Sequence, residues 1–321
     1  MKILVTGGAG FIGSNLVKAL LNDDRVTAVK VLDNLETGSF ANIAPFRDHS
    51  RFEFIEGDIR NYAVCLDAAE SIDLISHQAA LGSVPRSVAD PITTNEINIT
   101  GTLNIFNAAR ENKISRVIYA ASSSTYGDHP GLPKVEDIIG SPVSPYGVTK
   151  LVNELYAKVF GSLYNMEFIG LRYFNVYGPH QNPRGPYAAV IPLFIKAFID
   201  DLSPEINGDG EQSRDFTFVD DVVQANLQAM FTSNPQAINQ VFNIAKGEKT
   251  TLNDLVKLLK EITGKNITAI YNPERKGDIK HSLADITKAA RLIGYQPATG
   301  IREGLQKTYN WYLKNKLIFA E

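Results

Sequence analysis

Three things are scarce in this sequence: cysteine, long apolar runs and clustered basic residues. The single cysteine, Cys65, cannot form a disulfide within the chain. No run approaches the roughly 18 apolar residues that a membrane helix requires, and no basic segment followed by an apolar stretch opens the chain as in a signal peptide. We therefore expect no membrane partner and a location in a reducing compartment, the cytoplasm.

The charged residues are nearly balanced in sign. The 32 Lys and Arg against 35 Asp and Glu give a net charge of −3 at pH 7. Because a nucleic-acid backbone is bound by clustered basic side chains, we expect no nucleic-acid partner. The 321 residues, 44% of them hydrophobic, can bury a substantial core, and we expect one large domain or two closely joined ones.

Short β-branched runs alternate with helical stretches in the first half of the chain. This alternation predicts an α/β protein with a doubly wound parallel sheet, whose ligands bind at the carboxyl ends of the strands. A helix is predicted in "SNLVKALLND", and strands are predicted in "KILVTGG", "VTAVKVLDN", "FEFIEGDI", "IDLISHQAA", "RVIYAASSS" and "FIGLRYFNVYG". The residues just after each strand are therefore candidates for a binding site.

The pattern changes after about residue 176, where "GPHQNPRGPYAAVIP" is rich in Pro and Gly. We expect a first domain over residues 1–175 and a second, smaller domain over 176–214 and 246–321. The stretch "RDFTFVDDVVQANLQAM" again has the pattern of a strand followed by a helix. We therefore expect the chain to return to the first domain between about residues 215 and 245.

Glycines follow the first predicted strand in "TGGAGFIGSN" and satisfy both G-x-x-G-x-x-G and G-x-G-x-x-G. Such a turn lets backbone N–H groups at the start of a helix approach a pyrophosphate. Twenty residues beyond Gly13 lies Asp33, where a carboxylate can bind the ribose hydroxyls of NAD and would repel the 2′-phosphate of NADP. The alternative is an ordinary glycine turn with a capping aspartate. Asp58 ends a later strand and could meet the adenine.

A tyrosine and a lysine lie four positions apart in "SPYGVTK". Ser144 and Pro145 favour a helix start, so Tyr146 and Lys150 share one helix face. Alone, the pair could be a half-buried tyrosine beside a solvated lysine. The strand "YAASSSTYG", however, would place Ser122 and its two neighbours at the same edge of the sheet.

A tyrosine is a poor base at neutral pH because its pKa is about 10. Two positive charges about 7 Å away, one on Lys150 and one on an oxidised nicotinamide, would lower that pKa to about 7 at an effective dielectric constant of about 20. We therefore expect Tyr146 to act as general base and acid, activated by Lys150. By its spacing to Tyr146, Ser122 is favoured as the serine that holds the reacting hydroxyl, although Ser123 and Ser124 stay open as alternatives.

These motifs together resemble the extended short-chain dehydrogenase/reductase family of nucleotide-sugar enzymes, the NAD-dependent epimerase/dehydratase family. "LRYFNVYGP", "NGDGEQSRDFTFVDDVV" and "ERKGDIKHSLADI" are similar to its substrate-binding segments, so the resemblance covers essentially the whole chain. It implies a Rossmann fold over the first domain, which binds NAD, and a smaller C-terminal α/β domain that binds a UDP-sugar.

The resemblance also implies the site residues, with catalytic roles for Ser122, Tyr146 and Lys150. Residues implied to bind NAD are Gly7, Gly10, Phe11, Ile12, Gly13, Asp33, Asn34, Asp58, Ile59, Gln78, Ala79, Ala80, Asn98, Tyr146 and Lys150. Residues implied to bind the UDP-sugar are Gly82, Ser83, Ser123, Asn175, Ala189, Val190, Asn207, Arg214, Arg275 and Ser282. Within this second set, Asn175, Arg214 and Arg275 are expected to grip the diphosphate, which suits the forked donors of arginine.

The residues after Ser122 bear on the reaction. Family members that eliminate water carry an acidic pair where this chain has Ser123 and Ser124, so the resemblance favours reversible oxidation at C4. Relatives restricted to non-acetylated sugars tend to have tyrosine at the position of Ser282. The similarity is greatest to enzymes that interconvert UDP-GlcNAc and UDP-GalNAc, and we expect that reaction, with UDP-glucose and UDP-galactose as further substrates.

Several alternatives stay open. The chain could be a UDP-glucose 4-epimerase, a nucleotide-sugar 4,6-dehydratase, a UDP-glucuronate-processing enzyme or a catalytically silent module that senses NAD.

By analogy with relatives, helices over residues 95–112 and 146–161 would form a homodimer interface. Ile97, Leu103 and Ile105 could serve that interface or lie in the core. His77, His129, His180 and His281 share no short metal-binding spacing, so we expect no metal ligand and a structural hydrogen bond for His77.

Overall fold

The computed structural model describes residues 1–183, 188–274 and 280–315. Its strands are β1 (Lys2–Thr6), β2 (Ala28–Asp33), β3 (Phe52–Glu56), β4 (Leu74–His77), β5 (Arg116–Ser122), β6 (Glu167–Tyr173), β7 (Val176–Tyr177), β8 (Glu205–Asn207), β9 (Ser213–Arg214), β10 (Thr217–Phe218), β11 (Gln240–Ile244), β12 (Thr250–Thr251) and β13 (Ile270–Asn272). Its helices are α1 (Phe11–Leu21), α2 (Phe40–Ile43), α3 (Tyr62–Ala68), α4 (Val84–Ala89), α5 (Pro91–Asn95), α6 (Thr102–Glu111), α7 (Pro145–Tyr164), α8 (Val190–Ile199), α9 (Val219–Phe231), α10 (Leu252–Thr263), α11 (Thr287–Ile293) and α12 (Ile301–Lys314).

Seven strands form one parallel sheet in the order β11-β6-β5-β4-β1-β2-β3. The chain moves outward in one direction through β2 and β3 and then returns to the other side of β1 with β4. This reversal leaves a crevice at the carboxyl ends of β1 and β4, where open α/β sheets bind their ligands. The predicted doubly wound parallel sheet is therefore confirmed.

Helices cover both faces of this sheet. On one face α1 and α9 bury a cluster that includes Leu16, Val17 and Val222. On the other face α6 and α7 bury a cluster that includes Phe106 and Phe160. Because both faces are covered, the central strands β1, β4 and β5 are buried along nearly their whole length and mostly apolar.

The last predicted strand, "FIGLRYFNVYG", forms two strands instead of one. Asn175 separates β6 from β7 and has a φ of 34°, in the left-handed region that breaks an extended strand. β7 pairs with β10 outside the main sheet. The chain thus leaves the sheet immediately after β6, which brings Asn175 to the carboxyl edge.

The carboxyl-terminal part of the chain contains short strand pairs and helices α8, α10 and α12 around a third apolar cluster. β11 joins the main sheet beside β6, inside the expected return between about 215 and 245. The division of the chain into two domains stays a prediction. Within the described ranges, no helix has the length and apolar character needed to cross a membrane.

Helix α7 starts as its sequence indicates. The Ser144 hydroxyl accepts a hydrogen bond from the Gly147 N–H at 3.1 Å, and Pro145 occupies the first turn. The Tyr146 N–H, which has no partner within the helix, donates to the Ser87 hydroxyl at 3.1 Å. Tyr146 is therefore fixed at the first turn, with Lys150 one turn further on.

Candidate active site

A cleft of about 840 Å³ opens at the carboxyl edge of the main sheet. Strand ends and the segments that follow them form its walls, together with the first turns of α7. Its lining includes the predicted residues Gly7, Gly10, Phe11, Ile12, Gly13, Asp33, Asn34, Asp58, Ile59, Gln78, Ala79, Ala80, Gly82, Ser83, Ser122, Ser123, Tyr146, Lys150, Asn175 and Ala189. Residues up to 182 positions apart in the sequence thus meet in one cavity.

The glycine turn between β1 and α1 forms one end of this cleft. Gly7 has a φ of 69°, and a Cβ atom on it would lie 2.6 Å from the Ala79 nitrogen. A Cβ on Gly13 would collide with the Gly7 backbone. Only glycine allows this close approach, so the backbone at the start of α1 stays open to a phosphate group.

Asp33 lies beside the glycine turn at the end of β2. Its carboxylate accepts hydrogen bonds from the Ala9 N–H at 2.9 Å and the Leu35 N–H at 2.8 Å, which fixes it against the turn. Burial raises the pKa of Asp33, while the two N–H donors lower it. A fixed acceptor next to a glycine-lined cradle fits the ribose and pyrophosphate of NAD, and the residues present here therefore suit that cofactor.

Asp58 follows β3 and lies close to Asn34, which donates to it at 2.9 Å. Hydrogen bonds from Arg60 are the main reason why the pKa of Asp58 is lowered to about 2. The carboxylate is therefore ionised at neutral pH. Together Asn34 and Asp58 form a polar wall at this end of the cleft.

Tyr146, Lys150 and Ser122 meet at the opposite end. The Lys150 ammonium nitrogen lies 5.9 Å from the centre of the Tyr146 ring, near the separation assumed from the sequence. It donates to the Ala120 carbonyl at 2.8 Å, which ties α7 to β5. Ser122 also lies close enough to Tyr146 for its hydroxyl to lower the pKa of the tyrosine. This is the arrangement that the spacing of the two motifs predicts.

The protein alone does not give Tyr146 the expected low pKa. Burial raises the pKa of its hydroxyl above the usual value of about 10, and the Ser122 hydroxyl lowers it by donating to the ionised form. Burial also lowers the pKa of Lys150 to about 8. The desolvation cost of a charged group inside the protein explains both the raised pKa of Tyr146 and the lowered pKa of Lys150.

The predicted structural role of His77 is confirmed. Its Nδ1 atom is hydrogen-bonded to the Thr6 hydroxyl at 2.7 Å, and its Nε2 atom to the Thr102 hydroxyl at 2.9 Å. Burial, followed by the charge of Lys150, lowers the pKa of His77 to about 3, so the ring is neutral. Among the described residues, no group of three or more His, Cys, Asp or Glu side chains is placed to hold a metal ion.

Five predicted residues lie away from the described lining of the cleft. Asn98 is fully buried behind the wall, where its side chain accepts from the Leu81 N–H at 2.8 Å and donates to the Leu81 carbonyl at 3.2 Å. It therefore shapes the wall without facing the cavity. The other four are Val190, Asn207, Arg214 and Ser282. Arg275, also predicted to bind the substrate, lies outside the described residues.

Arg214 and Ser282 nevertheless lie on adjacent segments near the cleft. The Ser282 N–H donates to the Ser213 carbonyl at 3.1 Å, and Arg214 donates to the carbonyls of Ser213 and Lys280. Asn175, which does line the cleft, donates to the Asp215 carbonyl at 3.1 Å. Asn175 is thus hydrogen-bonded to the residue that directly follows Arg214, so the two predicted diphosphate-binding residues lie on linked segments.

Known proteins resemble the chain along its whole length. The family model for the NAD-dependent epimerase/dehydratase family matches residues 3–245. The chain belongs to this family. A putative UDP-glucose 4-epimerase of Methanocaldococcus jannaschii is 39% identical over 317 residues, which are 98% of this chain and 99% of the relative.

Two solved structures are similar in the same way. One is a UDP-N-acetylglucosamine 4-epimerase from Methanobrevibacter ruminantium in complex with UDP-N-acetylmuramic acid, with 40% identity, a TM-score of 0.92 and 98% of each chain covered. The other is a UDP-glucuronic acid 4-epimerase from Bacillus cereus in complex with UDP-glucuronic acid and NAD. It has 35% identity and a TM-score of 0.91, with 98% of this chain and 100% of that chain covered. The predicted family, NAD as cofactor and an NAD-dependent nucleotide-sugar 4-epimerase as the enzyme class are confirmed.

Some residues that line the cleft did not stand out in the sequence. Tyr173, at the end of β6, donates to Gln78 at 3.0 Å and accepts from Asn226 at 2.9 Å. Its place at a strand end could have identified it. Trp311 lies on α12 and stacks on His180 with the ring centres 5.0 Å apart. No local pattern relates these two positions, because 131 residues separate them.

Proposed function

We propose that this protein is a UDP-N-acetylglucosamine 4-epimerase, which interconverts UDP-GlcNAc and UDP-GalNAc and also accepts UDP-glucose and UDP-galactose. The observation that carries the proposal is the meeting of Ser122, Tyr146 and Lys150 in a cleft where positions 123 and 124 carry hydroxyl groups instead of carboxylates. Elimination of water needs an acid and a base beside the sugar, whereas reversible oxidation at C4 needs one proton acceptor. The name of the Methanobrevibacter relative supports the acetylated substrate.

Tyr146 takes the proton from the C4 hydroxyl in this mechanism, and Ser122 holds that hydroxyl against it. When bound, NAD supplies the oxidising group for C4 and a positive charge near the tyrosine. The Lys150 ammonium lies 5.9 Å from the centre of the Tyr146 ring and stabilises the ionised tyrosine. Its charge thereby opposes the effect of burial, which raises the pKa of Tyr146. Tyr146 then keeps the proton and returns it to the C4 oxygen after the 4-keto sugar has turned over, when C4 is reduced from its opposite face.

The sugar must turn over between the two proton transfers, so its part of the cleft must be roomy. A Cβ atom on Gly82 would meet no atom of the described residues within 4 Å. Ser83 and Ala189 are further small residues of the lining. We propose that this space admits both the rotation and an N-acetyl group, while Asn175, Arg214 and Arg275 hold the UDP part in place.

The first experiment follows the anomeric proton NMR signals of UDP-GlcNAc incubated with the purified protein, first without and then with added NAD. We expect UDP-GalNAc to appear and to reach a stable ratio. Parallel samples contain UDP-glucose and UDP-glucuronate. Rejection of both acetylated sugars, with turnover of UDP-glucose or UDP-glucuronate, would overturn the substrate assignment, and a 4-keto product or released CO₂ would overturn the reaction class.

A variant at Ser282 tests the basis of that selectivity. The Ser282→Tyr side chain would fill the space proposed for the N-acetyl group, so we expect kcat/KM for UDP-GlcNAc to fall by about tenfold or more with UDP-glucose turnover retained. Ser141→Tyr, in an exposed loop before α7, serves as the control. Equal loss on both sugars would show that Ser282 does not select between them.

We also propose that two copies of the chain form a homodimer through α7. Val148, Leu155, Val159 and Leu163 on this helix are between 46% and 68% exposed. Their spacing of seven, four and four residues forms one stripe, which an identical helix could cover. Ile97 and Ile105, considered above for the interface, are buried in the core of the subunit instead.

A further inference from the structure

A buried ion pair lies behind the catalytic lysine. Arg172 on β6 donates from Nε to Glu154 Oε1 at 2.9 Å and from Nη2 to Glu154 Oε2 at 2.7 Å. The two side chains are only 4% and 9% exposed. Such a forked pair holds both groups in one orientation, and an additional hydrogen bond from Arg172 to the Glu136 carbonyl fixes the guanidinium further.

Glu154 lies one helical turn after Lys150 on α7. Residues four apart share a helix face, with their Cβ atoms about 5–6 Å from each other. The Lys150 side chain is 3% exposed and reaches the Ala120 carbonyl on β5, and the neighbouring Ala121 is in register with Arg172 on β6. The Glu154 carboxylate therefore pairs with Arg172 and lies on the same helix face as Lys150, whose charged form it favours electrostatically.

The other titratable groups around Lys150 carry no negative charge at neutral pH. Tyr146 lies on the same helix, and burial raises its pKa. His77 on β4 is neutral because burial and the charge of Lys150 lower its pKa. Burial also raises the pKa of Tyr119 on β5. Of the described groups that act on Lys150, Glu154 is the one that favours its charged form.

We propose that Glu154 is a positioning residue, which Arg172 holds in place so that its carboxylate keeps the buried Lys150 ammonium charged and directed at Tyr146. The inference rests on the proposed roles of Tyr146 and Lys150. A buried ammonium with a single carbonyl partner loses much of its hydration, and a fixed carboxylate compensates for that loss. The ion pair would thus serve the reaction as well as the fold.

The test measures the titration of Lys150 directly. The protein is labelled with ¹³C at lysine Cε and supplied with NAD, and the Lys150 signal is identified by its loss in Lys150→Met. Glu154→Gln should lower the apparent pKa of Lys150 by about 1–2, as expected for removal of a unit charge about 6 Å away at an effective dielectric constant of about 20. Arg172→Gln keeps the charge of Glu154 but no longer holds its carboxylate in place, so the pKa of Lys150 should fall less than in Glu154→Gln.

The pH profile of turnover gives a second readout. Lys150 loses its charge as the pH rises through its pKa, which is about 8, so activity should decline on the alkaline side. In Glu154→Gln this decline should begin about 1–2 pH units lower. The NMR titration needs no turnover, so a wrong substrate assignment would leave it unaffected.

Glu167→Gln is the matched control. It breaks another ion pair, in which Arg116 on β5 donates to Glu167 on β6 at 2.7 Å, at the opposite ends of the same two strands. Lys150 should titrate normally in this variant. If Glu154→Gln leaves the Lys150 titration unchanged, or if Arg172→Gln lowers the Lys150 pKa by as much as Glu154→Gln does, the proposal is wrong.

Glu154→Asp covers the case in which removal of the charge prevents folding. It keeps the carboxylate but withdraws it by one methylene group, so we expect a smaller lowering of the Lys150 pKa than in Glu154→Gln. A Lys150 titration identical to that of the unchanged protein in Glu154→Asp would overturn the proposal as well.

Discussion

The Tyr146 hydroxyl is the single group through which the proposed reaction passes its proton. Tyr146→Phe removes that hydroxyl and leaves the ring in its place, so we expect kcat to fall by about 10²–10⁴-fold, the usual range for loss of a general acid–base group. The unfolding temperature should change little, because the ring keeps its packing and only the contact of the hydroxyl with Ser122 is lost. Epimerisation followed by NMR and a thermal scan measure the two effects.

Tyr164→Phe is the control for that variant. Tyr164 ends the same helix and is 42% exposed, so its hydroxyl should be dispensable. Full activity in Tyr146→Phe would exclude the proposed base, and an unaffected cellular role despite lost activity would favour the silent NAD-sensing alternative.

Some residues of the site could be predicted from the sequence because their relation is local. Tyr146 and Lys150 share a helix face through their spacing, and Ser122 follows a buried strand whose carboxyl end faces the same edge. The partner of Glu154 could not be predicted, because Arg172 comes from another element and side-chain pairing across elements leaves no periodic pattern. The effect of burial on the pKa of Tyr146 could not be predicted for a related reason, since the degree of burial is a property of the fold.

Among the secondary structure elements, the long ones could be predicted and the short ones could not. The strands of the main sheet are four to seven residues long and mostly apolar, which is a clear signal. β7, β9, β10 and β12 have only two residues each, too few for any periodicity. β9 carries Arg214, β12 pairs with it, and β7 follows Asn175. The arrangement of these substrate segments could therefore not be predicted from the sequence.

Asp215 joins those segments through its buried carboxylate. It follows β9 and accepts from the backbone N–H groups of Lys246, Gly247 and Ala284 at 2.9–3.2 Å. Asp215→Asn replaces one acceptor oxygen by a donor and leaves at least one N–H without a partner. We expect a loss of about 1.5–3 kcal/mol in the free energy of unfolding and a KM for the UDP-sugar raised by about tenfold with kcat nearly unchanged.

Asp221→Asn separates the two effects. Asp221 is likewise buried and accepts from the Ala298 N–H at 2.8 Å, yet it joins no segment that carries a predicted substrate residue. It should lose stability with an unchanged KM. The NMR assay measures KM, and denaturant unfolding measures the free energy of unfolding. If Asp215→Asn also kept its KM, Asp215 would stabilise the fold without positioning the substrate.

At the level of the whole molecule, α7 has one face toward the catalytic cleft and another toward solvent. Lys150 and Glu154 lie on the buried side, while Val148, Leu155 and Val159 lie on the exposed side. A soluble monomer rarely exposes a contiguous apolar stripe of this kind. A second copy that covers the stripe would also support the helix that carries Tyr146.

Leu155→Glu tests the proposed dimer, because it places a charge in the middle of the stripe. We expect the unchanged protein to have twice the 35.3 kDa mass of one chain in light scattering coupled to size-exclusion chromatography, and Leu155→Glu to have the mass of a monomer. Leu202→Glu is the matched control, since Leu202 is 59% exposed against 56% for Leu155 but lies beyond α8. A monomeric mass for the unchanged protein, or a dimer that tolerates Leu155→Glu, would mean that α7 does not form the interface. Because Leu155 points away from the cleft, a monomeric Leu155→Glu variant with normal turnover would further show that the site is complete within one chain.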